Sequence, residues 1–270
     1  MAKVIGISGK KQSGKTSLAQ YLKARLIQEQ GEYEEYEIYQ DEEGETFFSS
    51  SYNVVNLKEI ESSIVQVYSF GDALKEACMY ALGLSYEQCY GTDEQKNTFT
   101  KYSWENLPDS VRYKYAKETE LKHQYIKGDF GGEKLKASNA PVLRSGHLTA
   151  RDVMQIFGTD ICRDMFHDNI WVDATLQRIK KDNVEVAIIA DVRFPSEIEA
   201  IKNQPKHRFI RLNKNIDSPD THSSETSLDG FKWQDLGHNV LVVNNENLDM
   251  EEKNNLVYNW LFKQKEKVNG

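Results

Sequence analysis

Cysteine is scarce in this chain, and its spacing suits neither disulfide bridges nor a metal site. Cys78, Cys89 and Cys162 are three in number and widely separated, and no C-x-x-C pair occurs that would suggest zinc. An odd set of distant cysteines is typical of reduced thiols in a reducing compartment. We therefore expect all three to be buried structural thiols.

Long hydrophobic runs are also missing. The longest apolar runs, such as residues 186–190, have the length of a strand and not of a membrane-spanning helix. Met1 leads directly into a short apolar strand, without a charged-then-apolar leader. Internal repeats and low-complexity tracts are absent from the sequence. These features predict a cytoplasmic protein with no membrane partner.

Positive charge is in deficit. The 34 lysines and arginines against 42 aspartates and glutamates give a formal net charge of −8. Such a chain repels polymeric nucleic acid and anionic membrane surfaces except where basic residues are gathered locally. Small anionic substrates remain compatible with it. At 270 residues, the chain is long enough for one large α/β domain or two small ones.

The most informative stretch is ISGKKQSGKTSLAQYL, residues 7–22. Residues 3–7 before it form an apolar run of strand length, and apolar residues recur at helical spacing from Leu18 to Leu26. The polar turn between them matches G-x-x-x-x-G-K-[ST] at residues 9–16. In this motif, backbone N–H groups and the positive end of the following helix bind a polyphosphate. An ordinary glycine-rich loop is the plain alternative.

Each fixed position of this motif has a physical reason. Gly9 and Gly14 let the chain adopt dihedral angles, and approach phosphate oxygens, that a Cβ would prevent. Lys15 would reach the β- and γ-phosphates, and the Thr16 hydroxyl would join the coordination shell of Mg²⁺. The sequence therefore predicts an ATP site with magnesium.

About five strands, separated by helices, are predicted along the chain. The alternation favours an α/β fold, with a parallel sheet covered by helices on both faces. We expect Thr149 to cap a helix that Gly158 bends or ends. We expect one domain over residues 1–270. The predicted strands cover residues 3–7, 65–70, 184–194, 208–212 and 239–243.

Two polar insertions interrupt this pattern. Residues 29–53 are acidic and rich in tyrosine, which predicts a surface excursion, such as a hairpin, outside the core. Residues 91–147 are polar, aromatic and irregular. A stretch of that length without strong periodicity is usually functional, mobile or both.

A carboxylate and a guanidinium follow the clearest buried strand. The apolar run VAIIA ends at Asp191, and Arg193 follows two residues later. Parallel sheets bind ligands at the carboxyl ends of their strands. There Asp191 would hold a magnesium-bound water or orient the acceptor, and Arg193 would stabilise charge on a transferred phosphoryl group. If the strand persists, both side chains project to one side. A salt bridge between the two is the alternative.

A second polar strip lies on a predicted helix. Arg151 and Gln155 are four residues apart and share a helical face, with Gly158 and Thr159 just beyond and Arg163 a turn later. The strip would offer a phosphate clamp and hydrogen bonds to a base. A solvated helix face is the equally simple alternative.

Three further residues have two interpretations. Trp171 would stack on a base or belong to the core. His222 and Glu225 lie in a polar loop near residues 213–227, which would close over the phosphates or be an ordinary surface loop. NKNID, residues 213–217, carries one residue too many for the guanine-binding N-K-x-D motif, so we discount a GTPase.

These segments together resemble the bacteriophage deoxynucleoside monophosphate kinase family of P-loop kinases. The similarity is weakest across residues 29–53 and 105–147. It implies a P-loop kinase fold, transfer of the γ-phosphate of ATP to a (deoxy)nucleoside 5′-monophosphate, and a homodimer. The matching segments are ISGKKQSGKTS, SFGDALKEA, YGTDEQKN, TARDVMQIFGTDICRDMF, IWV, ADVRFPSEIEAI and HSSE.

The resemblance also implies site residues at the matching positions. Lys15, Asp191 and Arg193 would be catalytic, with Thr16 and Asp191 at the metal. ATP would be bound by Gly9, Lys11, Ser13, Gly14, Lys15, Thr16 and Ser17. The acceptor would be bound by Lys11, Asp72, Lys75, Lys96, Arg151, Gln155, Gly158, Thr159, Arg163, Trp171, Arg193, Glu197, His222 and Glu225.

The sequence departs from the family pattern in two places. Thr16 replaces an aspartate that is frequent after the G-K pair, which makes magnesium ligation by a hydroxyl conventional again. F-G-D-A-L-K at residues 70–75 replaces F-A-D-P-L-K, so the geometry of that turn does not transfer.

Two other functions compete with this interpretation. The chain is weakly similar to phosphomevalonate kinase of the animal type, another small P-loop kinase. It would otherwise be a nucleotide-binding accessory protein without transfer activity. The intact Lys15, Thr16, Asp191 and Arg193 favour the enzyme.

Overall fold

The structure is a computed structural model that describes residues 1–41, 44–115, 123–126, 134–137, 143–213 and 227–263. It divides into two compact units. The first unit comprises Met1–Ala73 with Asn169–Gly270, and the second comprises Leu74–Asp168. The first boundary falls inside the helix Phe70–Leu82, and the second comes just before the helix Ile170–Asp182.

The strands, in chain order, are β1 (Lys3–Gly9), β2 (Glu37–Gln40), β3 (Thr46–Ser49), β4 (Val54–Asn56), β5 (Val65–Tyr68), β6 (Phe99–Ser103), β7 (His123–Ile126), β8 (Lys134–Ala137), β9 (His147–Thr149), β10 (Val186–Val192), β11 (His207–Asn213) and β12 (Val240–Asn244). The α-helices are α1 (Lys15–Gln28), α2 (Phe70–Leu82), α3 (Tyr86–Tyr90), α4 (Asp93–Lys96), α5 (Asp109–Lys114), α6 (Ala150–Gln155), α7 (Ile170–Asp182), α8 (Pro195–Lys202) and α9 (Met250–Tyr258). Two π-helical segments, Ile156–Phe166 and Asn259–Lys263, continue α6 and α9.

A parallel five-stranded sheet forms the centre of the first unit. Its strand order is β12-β11-β1-β10-β5, and all four pairings are parallel. Ile188 of β10 packs on the face covered by α1 and α9, whereas Ile189 packs on the face covered by α7 and α8. Burial on both faces explains why β10 is apolar almost throughout. The predicted α/β fold is confirmed.

The acidic insertion is an antiparallel sheet of β2, β3 and β4. Residues of β3 alternate between buried and half-buried, as expected for a strand with one face on the core. Phe48 is fully buried in the same apolar cluster as the residues of α1, and the Tyr33 ring stacks on it at 4.5 Å. The expectation that residues 29–53 lie outside the core is therefore wrong for β3.

The second unit has its own core, built around α2, α3, α6 and β9. Cys78, Cys89 and Cys162 are buried free thiols, which confirms the prediction for cysteine. Burial, together with the neighbouring thiols, raises the pKa of Cys78 to about 12. Such a thiol stays protonated and unreactive near neutral pH.

The helix that begins at Ala150 has the predicted cap and an unexpected end. Thr149 Oγ1 accepts a hydrogen bond from the Asp152 N–H at 3.1 Å, so the predicted cap is confirmed. Gly158 does not end the helix, which continues as a π-helix to Phe166. A Cβ at Gly158 would lie 2.5 Å from Leu74 Cδ2, so this glycine permits close packing. Within the described ranges, no helix is long and apolar enough to cross a bilayer.

Candidate functional site

The predicted phosphate loop connects β1 to α1 and has the conformation that its glycines allow. Gly14 precedes α1 as its N-cap, with φ of 85° in the left-handed region that favours glycine. A Cβ at Gly9 would overlap Ser13 Oγ and lie 2.9 Å from the Leu212 carbonyl oxygen. The loop therefore closes only around glycine at these two positions.

The loop lysine is folded back onto the loop. Lys15 is 8% exposed, and its Nζ donates to the carbonyl oxygens of Gly9 (2.7 Å) and Lys10 (2.6 Å). Thr16, the next residue, is exposed. Ser13 Oγ is buried and has no hydrogen-bond partner among the described residues. One small loop thus brings together the Lys15 ammonium, the Ser13 hydroxyl and the N-terminus of α1, a helix of 14 residues.

Asp191 lies on the strand adjacent to this loop. Gly6 of β1 is opposite Ile189 of β10, and Ser8 is opposite Val192, so β10 carries one extra residue there. This bulge interrupts the alternation of side chains along β10. As a result, Ala190 and Val192 pack on opposite faces of the sheet, although they are two residues apart. The phosphate loop and Asp191 therefore lie next to each other at the carboxyl edge of the sheet.

The Asp191 carboxylate links the ends of β10 and β5. It accepts hydrogen bonds from Ser69 Oγ at 2.6 Å and from the Phe70 N–H at 3.0 Å. Asp72 Oδ2 accepts from the Ser69 N–H at 3.1 Å. Both aspartates thereby fix the first turn of α2. Their negative charges interact favourably with the positive end of the helix dipole there.

Arg193 follows the end of β10 and begins the turn into α8. The strand ends at Val192, so the alternation expected to bring Arg193 to the side of Asp191 does not extend to it. Glu197, which is 2% exposed, accepts hydrogen bonds from the backbone N–H groups of Arg193 (2.6 Å) and Phe194 (3.0 Å). Glu197 thus fixes the backbone from which the Arg193 side chain projects.

Several other predicted residues belong to the second unit. Arg151, on α6, donates to Asp93 Oδ1 at 2.7 Å and to Asn97 Oδ1 at 3.2 Å, and so joins α6 to both ends of α4. Lys75 Nζ lies 4.4 Å from the centre of the Tyr90 ring. Lys96 ends α4. These contacts connect the helices that carry the predicted acceptor residues.

The π-helix carries the other acceptor residues of this unit. Gln155 precedes it, Gly158 and Thr159 lie in its first half, and Arg163 lies near its last turn. Asp160, which is 5% exposed, accepts hydrogen bonds from Lys114 Nζ and from Tyr115 Oη. The two aspartates of this segment, 160 and 164, raise the pKa of Lys114. Asp160 therefore fastens the π-helix to α5.

The sequence matches a known family over most of its length. A model of the family described as deoxynucleotide monophosphate kinase matches residues 3–254. The chain belongs to this family. It is 30% identical over 193 residues to a protein of Acanthamoeba polyphaga mimivirus with the provisional name deoxynucleotide monophosphate kinase. That alignment covers 67% of this chain and 76% of the mimivirus protein.

A second relative of the deoxynucleotide monophosphate kinase family matches a shorter part of the chain. The deoxynucleoside-5′-monophosphate kinase of Escherichia phage T5 is 40% identical over 60 residues. The match spans 22% of this chain and 24% of the phage T5 protein. The expected kinase family is thus confirmed, and with it membership of a family of phosphotransferases.

The structure does not test the acceptor role of three residues implied by the kinase resemblance. Trp171 is 7% exposed within α7, so its ring is largely enclosed by protein, and a role in binding an acceptor stays a prediction. His222 and Glu225, and most of the loop near residues 213–227, lie outside the described residues.

The structure adds residues to the candidate site that the sequence motifs did not indicate. Ser69 binds Asp191, and Asn245 Nδ2 donates to the Ser13 carbonyl oxygen at 3.2 Å. Both are polar residues directly after parallel strands, so the rule that selected Asp191 would have found them. Arg211 Nη1 donates to Ser8 Oγ at 3.0 Å, and burial lowers the pKa of its guanidinium.

Gln40 and Lys253 also lie near the phosphate loop. No sequence motif pointed to either residue. Gln40 comes from the acidic insertion, and its Nε2 donates to the Ser17 carbonyl oxygen at 2.7 Å. Lys253 comes from α9 and approaches Gly14. Over the described ranges, no group of three or more His, Cys, Asp or Glu side chains could hold a metal ion.

Proposed function

We propose that this chain is a deoxynucleoside monophosphate kinase that transfers the γ-phosphate of ATP to a (deoxy)nucleoside monophosphate, giving the diphosphate and ADP. One observation carries the proposal. A G-x-x-x-x-G-K-T loop with a buried lysine follows β1, Asp191 is the second-last residue of the adjacent strand β10, and Arg193 comes directly after that strand. Membership of the deoxynucleotide monophosphate kinase family supports it.

ATP would be bound at the loop after β1. The close approach at Gly9, the left-handed Gly14 and the unpartnered Ser13 Oγ fit a loop that folds around phosphate oxygens. The Lys15 ammonium would leave the carbonyl oxygens of Gly9 and Lys10 and bind the transferred phosphate instead. Lys11 and Ser17 would make further contacts with the phosphates. The Thr16 hydroxyl would bind Mg²⁺ directly, and Asp191 would bind one of its waters. Bound Mg²⁺ neutralises charge on the phosphates.

Transfer requires positioned positive charge and little covalent chemistry by the protein. Arg193, whose backbone Glu197 fixes, would stabilise charge on the transferred group. The attacking phosphate oxygen of the acceptor is largely ionised near neutral pH, so no strong base is needed. The residues that the family resemblance implies for the acceptor would bind the nucleoside monophosphate.

A coupled assay for ADP release tests this function. Purified protein is given ATP, Mg²⁺ and, in turn, dGMP, dTMP, dCMP, dAMP or phosphomevalonate. We expect ADP formation that depends on at least one nucleotide. Lys15→Met should lower the turnover roughly a hundredfold or more, because the charge on the transferred group loses a partner. Its far-ultraviolet circular dichroism should match that of the wild type.

Each competing function gives a different result in the same assay. Activity with phosphomevalonate alone identifies the other kinase. Binding of ATP without ADP formation from any acceptor identifies an accessory protein. Full activity of Lys15→Met contradicts the role of the loop.

A further inference from the structure

Lys253 is a buried lysine beside the phosphate loop, and no motif or family resemblance assigns it a role. It lies in α9 and is only 5% exposed, although lysine is rarely buried so deeply. A Cβ at Gly14 would lie 2.9 Å from Lys253 Nζ. The ammonium group therefore lies against the residue that caps α1.

This position is already electrostatically positive. The N-terminus of α1 carries the positive end of the helix dipole, and Lys15 is buried in its first turn. Lys253 brings a second buried ammonium group to the same end of the helix. An anion bound there would interact favourably with both ammonium groups and with the helix dipole.

Buried polar atoms beside the loop point to a ligand independently. Ser13 Oγ, 1% exposed and directed toward Gly9 across the loop, has no hydrogen-bond partner among the described residues. The same is true of Oδ1 of Asn245, which is 8% exposed and binds the Ser13 carbonyl through its Nδ2. Unpartnered atoms of this kind are few in native proteins and are explained by ligands or ordered water.

We propose that Lys253 binds the phosphate groups of the nucleotide held by the loop, as a second lysine beside Lys15. The inference rests on the proposed function of this loop as an ATP site and adds a residue to it. The ligand class is the polyphosphate of a nucleoside di- or triphosphate. A lysine on α9 thus joins the C-terminal part of the chain to phosphate binding.

The test measures polyphosphate binding and stability separately. Lys253→Met removes the charge and keeps much of the apolar stem, and Lys202→Met, on an exposed side chain of α8, is the matched control. Isothermal titration calorimetry gives the affinity for tripolyphosphate and ATP, and melting temperatures are measured without ligand. We expect Lys253→Met to bind both ligands about tenfold or more weakly, since a charge-assisted hydrogen bond is lost. The loss of affinity should persist at a temperature at which both ligand-free proteins are fully folded, as their melting temperatures establish.

Other results overturn the inference. A lysine with a purely structural role would give a Lys253→Met variant that melts earlier but binds tripolyphosphate as tightly as the wild type. If neither Lys253→Met nor Lys253→Gln folds even with tripolyphosphate present, the lysine serves folding and the proposal is wrong. If the wild type binds neither ATP nor tripolyphosphate, the proposed function itself fails. If wild type and Lys253→Met bind equally well, only the inference about Lys253 fails.

Discussion

The backbone of Arg193 is fixed by a carboxylate four residues further along the chain. Glu197 is buried, and it accepts hydrogen bonds from the backbone N–H groups of Arg193 and Phe194. The Arg193 side chain can therefore be removed without removing these hydrogen bonds. This separation allows a clean test of what the guanidinium does.

Arg193→Ala should reduce kcat by roughly tenfold to a hundredfold and change the affinity for ATP by less than about twofold. The reason is that removing an interaction made only in the transition state lowers kcat and leaves the binding of ATP nearly unchanged. Steady-state kinetics with saturating acceptor, and calorimetry with ATP, give the two quantities. Arg178→Ala, on the half-exposed face of α7, is the control. An unchanged kcat would refute the role of Arg193 in transfer.

Residues that follow a strand could be found from the sequence, and residues that approach from elsewhere could not. Asp191 was predicted because a polar residue after a buried strand lies at the ligand-binding edge of a parallel sheet. Lys253 had no such signal, since a lysine on an amphipathic helix normally faces water. Its burial arises from the packing of α9 near Gly14, which depends on contacts distant in the sequence.

The acidic insertion supports the helix that begins at the phosphate loop. Gln40, at the end of β2, accepts from Ser17 Oγ (3.2 Å) and Asn254 Nδ2 (3.0 Å), and donates to Thr46 Oγ1 (2.8 Å). Thr46 and Asn254 are almost completely buried. This one amide therefore connects the insertion, α1 and α9. The composition of the insertion predicted only an acidic surface excursion. An average over its many charged residues does not show that one face of β3 is buried.

Gln40→Ala should lower the free energy of unfolding by about 1–3 kcal/mol, since it leaves the Thr46 hydroxyl and the Asn254 amide buried with fewer partners. Urea unfolding followed by circular dichroism measures the change. Glu37→Ala, at an exposed position of the same strand, should change it by less than about 0.5 kcal/mol. Equal stability of the two variants would show that Gln40 does not support this junction.

Two local irregularities also escaped prediction. The bulge in β10 changes the sheet face that the following side chains reach, and the helix from Ala150 continues through Gly158 as a π-helix. Both occur where elements distant in the sequence meet: the bulge in the pairing with β1, and the π-helix where Gly158 packs closely on Leu74. Periodicity assumes regular elements, so it cannot detect an inserted residue.

The arrangement of the main sheet followed from the alternation of strands and helices. Five predicted strands became β1, β5, β10, β11 and β12, all parallel and covered on both faces. The alternation did not indicate that residues 74–168 form a compact unit with a core of their own. That core is assembled from short helices and strands too irregular to show a periodic pattern. Trp104 and Leu148, for example, are buried together in it although they lie far apart in the sequence.

The fate of the γ-phosphate tests the proposed function most directly. The protein is incubated with ATP labelled at the γ-phosphate, Mg²⁺ and each deoxynucleoside monophosphate, and the products are separated by chromatography. We predict that the label moves to a deoxynucleoside diphosphate with the wild type and stays in ATP with Lys15→Met. Label recovered as inorganic phosphate, or retained in ATP with every acceptor, would contradict phosphoryl transfer by this chain.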